Sequence, residues 1–130
     1  MSNEEEIREA IDTYYNKLSA GDLDGCLSNF ESNAVIFDPI AKTLFELKRY
    51  WRVFIKLIAM LNFSIESVSI NGDTAFVKWM AHAIGKNGKE VDFEGSSVFT
   101  FNDKVKITKF HCYWEPKTIL PELEIKTNKQ

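Results

Sequence analysis

The sequence is poor in the residues that mark several special classes of protein. Its 130 residues include only two cysteines, two histidines, three prolines and six glycines. Cys26 and Cys112 are too few for the disulfide framework of a small secreted domain. Both lie in apolar patterns that are typical of reduced core cysteines. We therefore expect a cytoplasmic protein stabilised by its hydrophobic core.

Charge of one sign and long apolar runs are also scarce. The 16 basic and 19 acidic residues leave a net charge of −3. Without a dense basic patch, nucleic acid is not an expected partner. No apolar run approaches the roughly 20 residues that span a membrane. The acidic residues 1–8 lack the apolar segment of a signal peptide, so we expect neither a signal peptide nor a membrane partner.

The motifs that hold metals, nucleotides and activated serines are missing as well. His111 and Cys112 are adjacent on a predicted strand, so their side chains point apart and cannot share a metal. The sequence has neither a glycine-rich phosphate loop nor a Gly-x-Ser-x-Gly motif. We expect no metal and no cofactor.

Aromatic residues, in contrast, are abundant. Ten Phe, four Tyr and three Trp make up 13% of the chain, and the hydrophobic content is 45%. These side chains suit either a deep core or a concave apolar site. The length predicts one domain, which we assign to residues 1–118, followed by a C-terminal tail at residues 119–130 whose last residues we expect to be loose.

The spacing of apolar residues predicts helices first and strands afterwards. A helix over residues 3–19, with a capping box at Ser2 and Glu5, precedes a second helix that begins at Asp22 and includes Phe30. A strand follows at residues 34–38. A third helix begins at the possible capping box of Thr43 and Glu46 and extends to about residue 61.

After residue 62 the period changes to two, which predicts strands. The expected strands are residues 63–70, 74–85, 89–101 and 105–115, with Gly95 as a bend or bulge. Pro116 ends the pattern. This order predicts an α+β fold, with three N-terminal helices on a curved, mostly antiparallel sheet that encloses an interior.

Two segments resemble the NTF2-like superfamily, most closely ketosteroid isomerases and SnoaL-like polyketide cyclases. They are YYNKLSAGDLDGCLSNFESNAVIFDP at residues 14–39 and SSVFTFNDKVKITKFHCYWEP at residues 96–116. The resemblance implies a conical barrel with a deep apolar pocket for a small hydrophobic ligand. It also implies a homodimer formed through the outer face of the sheet.

The resemblance suggests a catalytic pair. In the isomerases, a Tyr on the first helix donates a hydrogen bond to the substrate oxygen and an Asp before a Pro moves the proton, which is the established mechanism of that family. Tyr14 and Asp38 occupy the matching positions. Two other interpretations stay open: Asp38 can simply start a turn, and Tyr14 can simply be a core residue. Ser97 stands where those isomerases carry a second, acidic donor.

The resemblance also sets the expected register of the strands. It places Met80, His82 and Ile84 inward, so that His82 can act beside Asp38 as a second catalytic group or can be a structural core histidine. Val77, Trp79, His111 and Tyr113 are then expected on the dimer face. The expected pocket-lining residues are Met80, Ser97, Phe99, Phe110, Cys112, Trp114 and, from helix 3, Phe54.

Two functions fit these expectations. The first is cofactor-independent proton transfer on a small hydrophobic carbonyl compound, with Asp38 as base and Tyr14 as donor. The second is a non-catalytic module that binds a ligand or a partner, with the interior plugged by Phe99, Phe110 and Trp114. An open cavity where Asp38, Tyr14 and His82 converge would favour the enzyme.

Overall fold

A computed structural model describes residues 3–123 as helices packed on one face of a curved five-stranded sheet. The elements are α1 (Glu4–Ser19), α2 (Leu23–Leu27), β1 (Phe30–Phe37), α3 (Leu44–Leu57), β2 (Ile58–Asn71), β3 (Thr74–Gly85), β4 (Glu90–Phe101), β5 (Ile107–Tyr113) and α4 (Pro116–Ile119). Among these helices none is long and apolar enough to cross a bilayer.

The sheet has the strand order β1-β5-β4-β3-β2. Only β1 and β5 run parallel; the other neighbours are antiparallel. Register shifts at residues 58–60 and 65–67 of β2 and at 100–101 of β4 mark irregularities of the kind that bends a sheet. The predicted α+β class and mostly antiparallel sheet are confirmed.

The core lies between the helices and the concave face of the sheet. On α1 the buried stripe follows the helical period and consists of Ile7, Ile11, Tyr14, Tyr15 and Leu18. It packs against β4 and β5, where the Tyr14 ring contacts Phe99 and Phe110, and against β2, where the Tyr15 ring contacts Phe63. Because the stripe carries two tyrosines, it brings hydroxyl groups into an apolar interior, where each needs a hydrogen-bond partner.

Two predicted helix ends are wrong, because strand pairing replaces the last turns. Phe30 begins β1 instead of ending helix 2, and it pairs with Ile107 of β5. Helix α3 ends at Leu57, and Ile58 already pairs with Gly85 of β3. The start of α3 agrees with the predicted cap: Thr43 Oγ1 accepts a hydrogen bond from Glu46 N at 3.0 Å.

The face of β3 that points inward is the opposite of the predicted one. Its buried residues are Ala75, Val77, Trp79, Ala81 and Ala83. Met80 is 40% exposed and His82 lies on the same outer face. Lys78 shares that face, and burying its charge without a partner would be costly, whereas the opposite face is entirely apolar. The inward placement of Met80 and His82 is therefore wrong, as is the outward placement of Val77 and Trp79.

Gly95 does not form a bulge. The pairing of β3 with β4 continues through it, opposite Trp79. A Cβ atom at Gly95 would collide with the Trp79 ring and with the backbone oxygen of Tyr113. The glycine is therefore required by the close approach of the indole ring.

After β5 the chain forms the short helix α4, which the sequence analysis did not predict. Ile119, Leu120 and Leu123 are buried in a second cluster with Phe54 and Ile58. Residues 124–130 lie outside the described residues, as does Ser2 of the predicted capping box. The looseness of the last residues and that cap therefore stay predictions.

Candidate functional site

A cavity of about 140 Å³ lies between the helices and the concave face of the sheet. Its lining is mostly aromatic and comprises Tyr14, Tyr15, Tyr50, Trp51, Phe54, Phe63, Trp79, Phe93, Phe110 and Trp114, with a few aliphatic and polar residues. The charged residues in the lining are Asp38 and Arg49. Such a lining favours an apolar ligand oriented by a small number of polar groups.

Asp38 lies at this cavity and also starts a turn. Its Oδ2 accepts a hydrogen bond from the backbone N–H of Ile40 at 3.0 Å, which closes the turn after β1. Its Oδ1 accepts a hydrogen bond from Trp114 Nε1 at 3.1 Å. The carboxylate is therefore held in one orientation by donors from two separate parts of the chain.

The surroundings raise the pKa of Asp38 above its ordinary value. Burial is the main cause, because an apolar wall disfavours the charged carboxylate. The hydrogen bonds from Ile40, Trp114 and Cys112 stabilise the carboxylate and act in the opposite direction. A carboxyl group with a raised pKa is a stronger base once it is ionised and is a better match to proton transfer near neutral pH.

A chain of polar contacts crosses the cavity wall and reaches Asp38. The hydroxyl of Tyr15 and the Nε1 of Trp79 each donate to Ser97 Oγ at 3.0 Å. Ser97 Oγ donates to Cys112 Sγ at 3.6 Å, and the Cys112 thiol is hydrogen-bonded to Asp38. Burial raises the pKa of that thiol, so Cys112 stays protonated. The one hydroxyl proton of Ser97 is thus already used in a hydrogen bond within the protein.

Tyr14 also lines the cavity, and its hydroxyl has a weaker partner. It makes a hydrogen bond with the thiol of Cys26, a buried residue that does not line the cavity. Burial raises the pKa of Tyr14 well above its ordinary value, so the hydroxyl remains a donor. Sulfur is a poor acceptor, and a ligand oxygen would compete for this proton more easily than for that of Tyr15.

The structure brings together most, but not all, of the predicted site residues. Phe54, Ser97, Phe110, Cys112 and Trp114 line the cavity together with Asp38 and Tyr14. Phe99 is fully buried behind the wall, with its ring 5.4 Å from that of Tyr14, and does not line the cavity. Met80 and His82 lie on the other side of the sheet. There, His82 contacts Asp92 and, at 3.4 Å, Glu90.

Several lining residues were missed from the sequence. Tyr15 shares the buried stripe of α1 with Tyr14, so the helical period carried a signal for it. The register implied by the resemblance places Trp79 on the outer face of the sheet. The charge of Lys78, on the other face of the same strand, indicates instead that Trp79 points inward. Arg49 is one of several basic residues on α3, and no local pattern distinguishes it from the others.

The chain resembles known proteins both in sequence pattern and in fold. A profile of the SnoaL-like domain family matches residues 11–110, whereas no curated protein sequence matches the chain. The chain is similar in fold to AclR from Streptomyces galilaeus, with a TM-score of 0.81 and 13% identity over 92% of this chain and 96% of that one.

Two further solved structures have the same fold. SalBIII, an epoxide hydrolase/cyclase-like enzyme in pyran ring formation in polyether salinomycin, gives a TM-score of 0.75 and 22% identity over 90% of this chain and 96% of its own. An NTF2-like protein of unknown function from Burkholderia pseudomallei gives 0.77 and 15%, over 95% and 98%. Because the family profile covers most of the chain, the protein belongs to the SnoaL-like domain family of NTF2-like proteins.

Proposed function

We propose that the protein is a cofactor-independent enzyme that moves a proton on a small hydrophobic carbonyl compound, in an isomerisation, dehydration or cyclisation. One observation carries this proposal: Asp38 lies at the wall of a mostly aromatic cavity, held by Trp114 and Ile40, with a raised pKa. A turn residue with no further role would not need to face such a cavity.

The proposed chemistry starts with Asp38 as base. The two carboxylate oxygens have four lone pairs in all, and the hydrogen bonds from Ile40, Trp114 and Cys112 use three of them, which leaves one for the substrate. Asp38 takes a proton from the carbon next to the carbonyl group, and the electrons of the broken C–H bond move to the carbonyl oxygen as an enolate. Tyr14 donates a hydrogen bond to this oxygen. Asp38 then returns the proton to another atom of the substrate.

The fold of SalBIII supports a cyclase version of the same proposal. SalBIII is named as an epoxide hydrolase/cyclase-like enzyme. Ring closure of that kind is helped by a carboxylic acid that protonates an oxygen and a carboxylate that accepts a proton. A carboxyl group with a raised pKa has an appreciable protonated fraction nearer to neutral pH, so Asp38 suits both tasks.

The test is hydrogen–deuterium exchange at carbons next to the carbonyl group, followed by NMR over a panel of small ketones and enones. Asp38→Asn should lower the exchange rate on the order of 10²- to 10⁴-fold. Asp92→Asn removes a carboxylate on the outer face and should leave the rate unchanged. Equal exchange in wild type and in Asp38→Asn would refute the role of Asp38.

A second function, ligand binding without chemistry, is favoured by Ser97. Its hydroxyl donates to Cys112, so it does not offer the second oxyanion donor that the isomerases have. In this case the cavity retains a ligand that survives purification, and neither wild type nor Asp38→Asn catalyses exchange on any compound of the panel.

We further propose that two copies associate through the outer face of the sheet. Across four strands, Phe37, His111, Val98 and Phe76 lie in one row. Phe37 and Phe76 are 47% and 50% exposed, and the rings of Phe37 and His111 stack at 4.2 Å. Large apolar groups clustered on one face of a sheet are typical of a protein interface.

A further inference from the structure

Arg49 is the one basic side chain in the lining of the cavity within residues 3–123. Together with Tyr50, Val53 and Phe54 it forms the face of α3 that borders the cavity. Exposure differs between the residues of this face: Phe54 is 7% exposed and Tyr50 is half-buried, whereas Val53 is 47% exposed and Arg49 is exposed. Arg49 therefore lies at the mouth of the cavity, and Phe54 lies deeper.

Arg49 differs from Lys48, the residue before it on α3, in having no acidic partner among the described residues. Lys48 pairs with Asp24 at 3.0 Å, and the charge of Arg52 also acts on Asp24. No ion pair in the described part of the chain includes Arg49. An unpaired guanidinium beside an apolar opening is suited to a carboxylate, which it can bind with two hydrogen bonds.

The size of the cavity limits what lies inside it. Its volume is about 140 Å³. An engineered apolar cavity of about 150 Å³ binds benzene, so the enclosed space accepts about one ring. Other parts of a ligand must extend to the mouth, where Arg49 lies.

The charge of Asp38 fixes the orientation of such a ligand. A second negative charge beside Asp38 would be repelled and would lie in an apolar environment. An anionic group is therefore excluded from the wall near Asp38 and is favoured at the mouth. The two charged residues of the lining thus act on different parts of a ligand.

We propose that the substrate is a one-ring apolar compound that carries a carboxylate on the end facing the mouth, and that Arg49 binds this carboxylate. The proposal rests on the proposed function, because it takes the cavity to be the substrate site. It adds the charge, the size and the orientation of the substrate.

All three tryptophans of the chain, Trp51, Trp79 and Trp114, line the cavity, so intrinsic fluorescence reports its occupancy. The probes are 3-phenylpropanoate and the uncharged 3-phenylpropanamide of similar size. At low ionic strength wild type should bind the acid about three- to tenfold more tightly than the amide. Added salt should reduce this preference, because exposed charges are screened.

Arg49→Met should abolish the preference and leave the affinity for the amide unchanged. Arg52→Met is the matched control, since Arg52 lies on the same helix but does not line the cavity, and it should keep the preference. Equal affinities in wild type, an undiminished preference in Arg49→Met, or the same loss in both variants would overturn the inference. So would the absence of any fluorescence change with either probe.

The binding experiment requires no turnover, so it separates the two proposals. An Arg49-dependent preference in a protein without proton exchange would keep this inference and refute the chemistry. Exchange that depends on Asp38, together with equal affinity for acid and amide, would keep the chemistry and refute this inference.

Discussion

At the scale of single residues, the site depends on opposing effects on one carboxyl group. Burial raises the pKa of Asp38, while the N–H groups of Ile40 and Trp114 and the Cys112 thiol stabilise its charge. Without these donors, an aspartate in an aromatic wall would remain protonated to higher pH and would be a poor base at neutral pH. Trp114 is therefore a positioning residue for Asp38 as well as part of the wall.

Removing this donor gives a test with a pH readout. Trp114→Phe keeps an aromatic ring but loses the hydrogen bond to Oδ1, so the pKa of Asp38 should rise further. Because Asp38 must be deprotonated to act as the proposed base, kcat/KM should rise with pH through this pKa. The rising limb should therefore move to higher pH, by up to about one pH unit.

Trp51→Phe is the control, because Trp51 also lines the cavity but makes no hydrogen bond to Asp38. It should leave the limb in place. A fall in kcat/KM in Trp114→Phe at every pH, with no movement of the limb, would show that Trp114 only shapes the wall.

At the scale of elements, a glycine in one strand leaves space for a large side chain of the neighbouring strand. Gly95 of β4 provides the space that the Trp79 indole of β3 occupies, and the same indole lines the cavity and donates to Ser97. The position of one wall of the site thus depends on a missing Cβ atom one strand away.

Gly95→Ala should therefore destabilise the protein, although alanine usually suits a strand better than glycine. The new methyl group collides with the Trp79 ring and a backbone oxygen, and overpacking of this kind costs about 1–3 kcal/mol. Urea unfolding gives the change in the free energy of unfolding. Ser96→Ala, an exposed position on the same strand, should stay within about 0.5 kcal/mol of wild type. An equal stability of Gly95→Ala would contradict the requirement for glycine.

At the scale of the whole molecule, the sheet separates two apolar surfaces. Its concave face encloses the cavity, and its outer face carries Phe37, Phe76, Met80 and Tyr113, each at least 40% exposed. If two copies associate through the outer face, their cavities remain on opposite sides of the assembly. The proposed dimer would then stabilise the sheet without covering the site.

Phe76→Lys tests this arrangement, because it places a charge in the middle of the proposed interface. Sedimentation velocity should show a dimer for wild type and a monomer for the variant. Phe45→Lys is the matched control, since Phe45 is 73% exposed on α3 and away from the sheet, and it should remain dimeric. A monomeric wild type, or a dimer that survives Phe76→Lys, would refute the proposed interface.

Predictions from the sequence succeeded where short-range geometry decides the outcome. The period of two gave β3 its bounds, Thr74–Gly85, and the Thr43 cap marked the start of α3. They failed where pairing between distant segments decides the outcome. Phe30 and Ile58 are in strands and not in the predicted helices, because they form backbone pairs with β5 and β3. Local propensity is too weak to resist such pairing.

The alternation of β3 determined from the sequence that Trp79 and His82 lie on opposite faces. Which face points inward depended on burial, and the charge of Lys78 was the local clue. The amino-acid order also determined the α+β class and placed Asp38 at the end of a strand before Pro39. The contacts Trp114–Asp38 and Tyr15–Ser97 join residues 76 and 82 positions apart. Only the tertiary structure decided these contacts, because periodicity describes neighbours along the chain, whereas a cavity is formed by residues that meet across it.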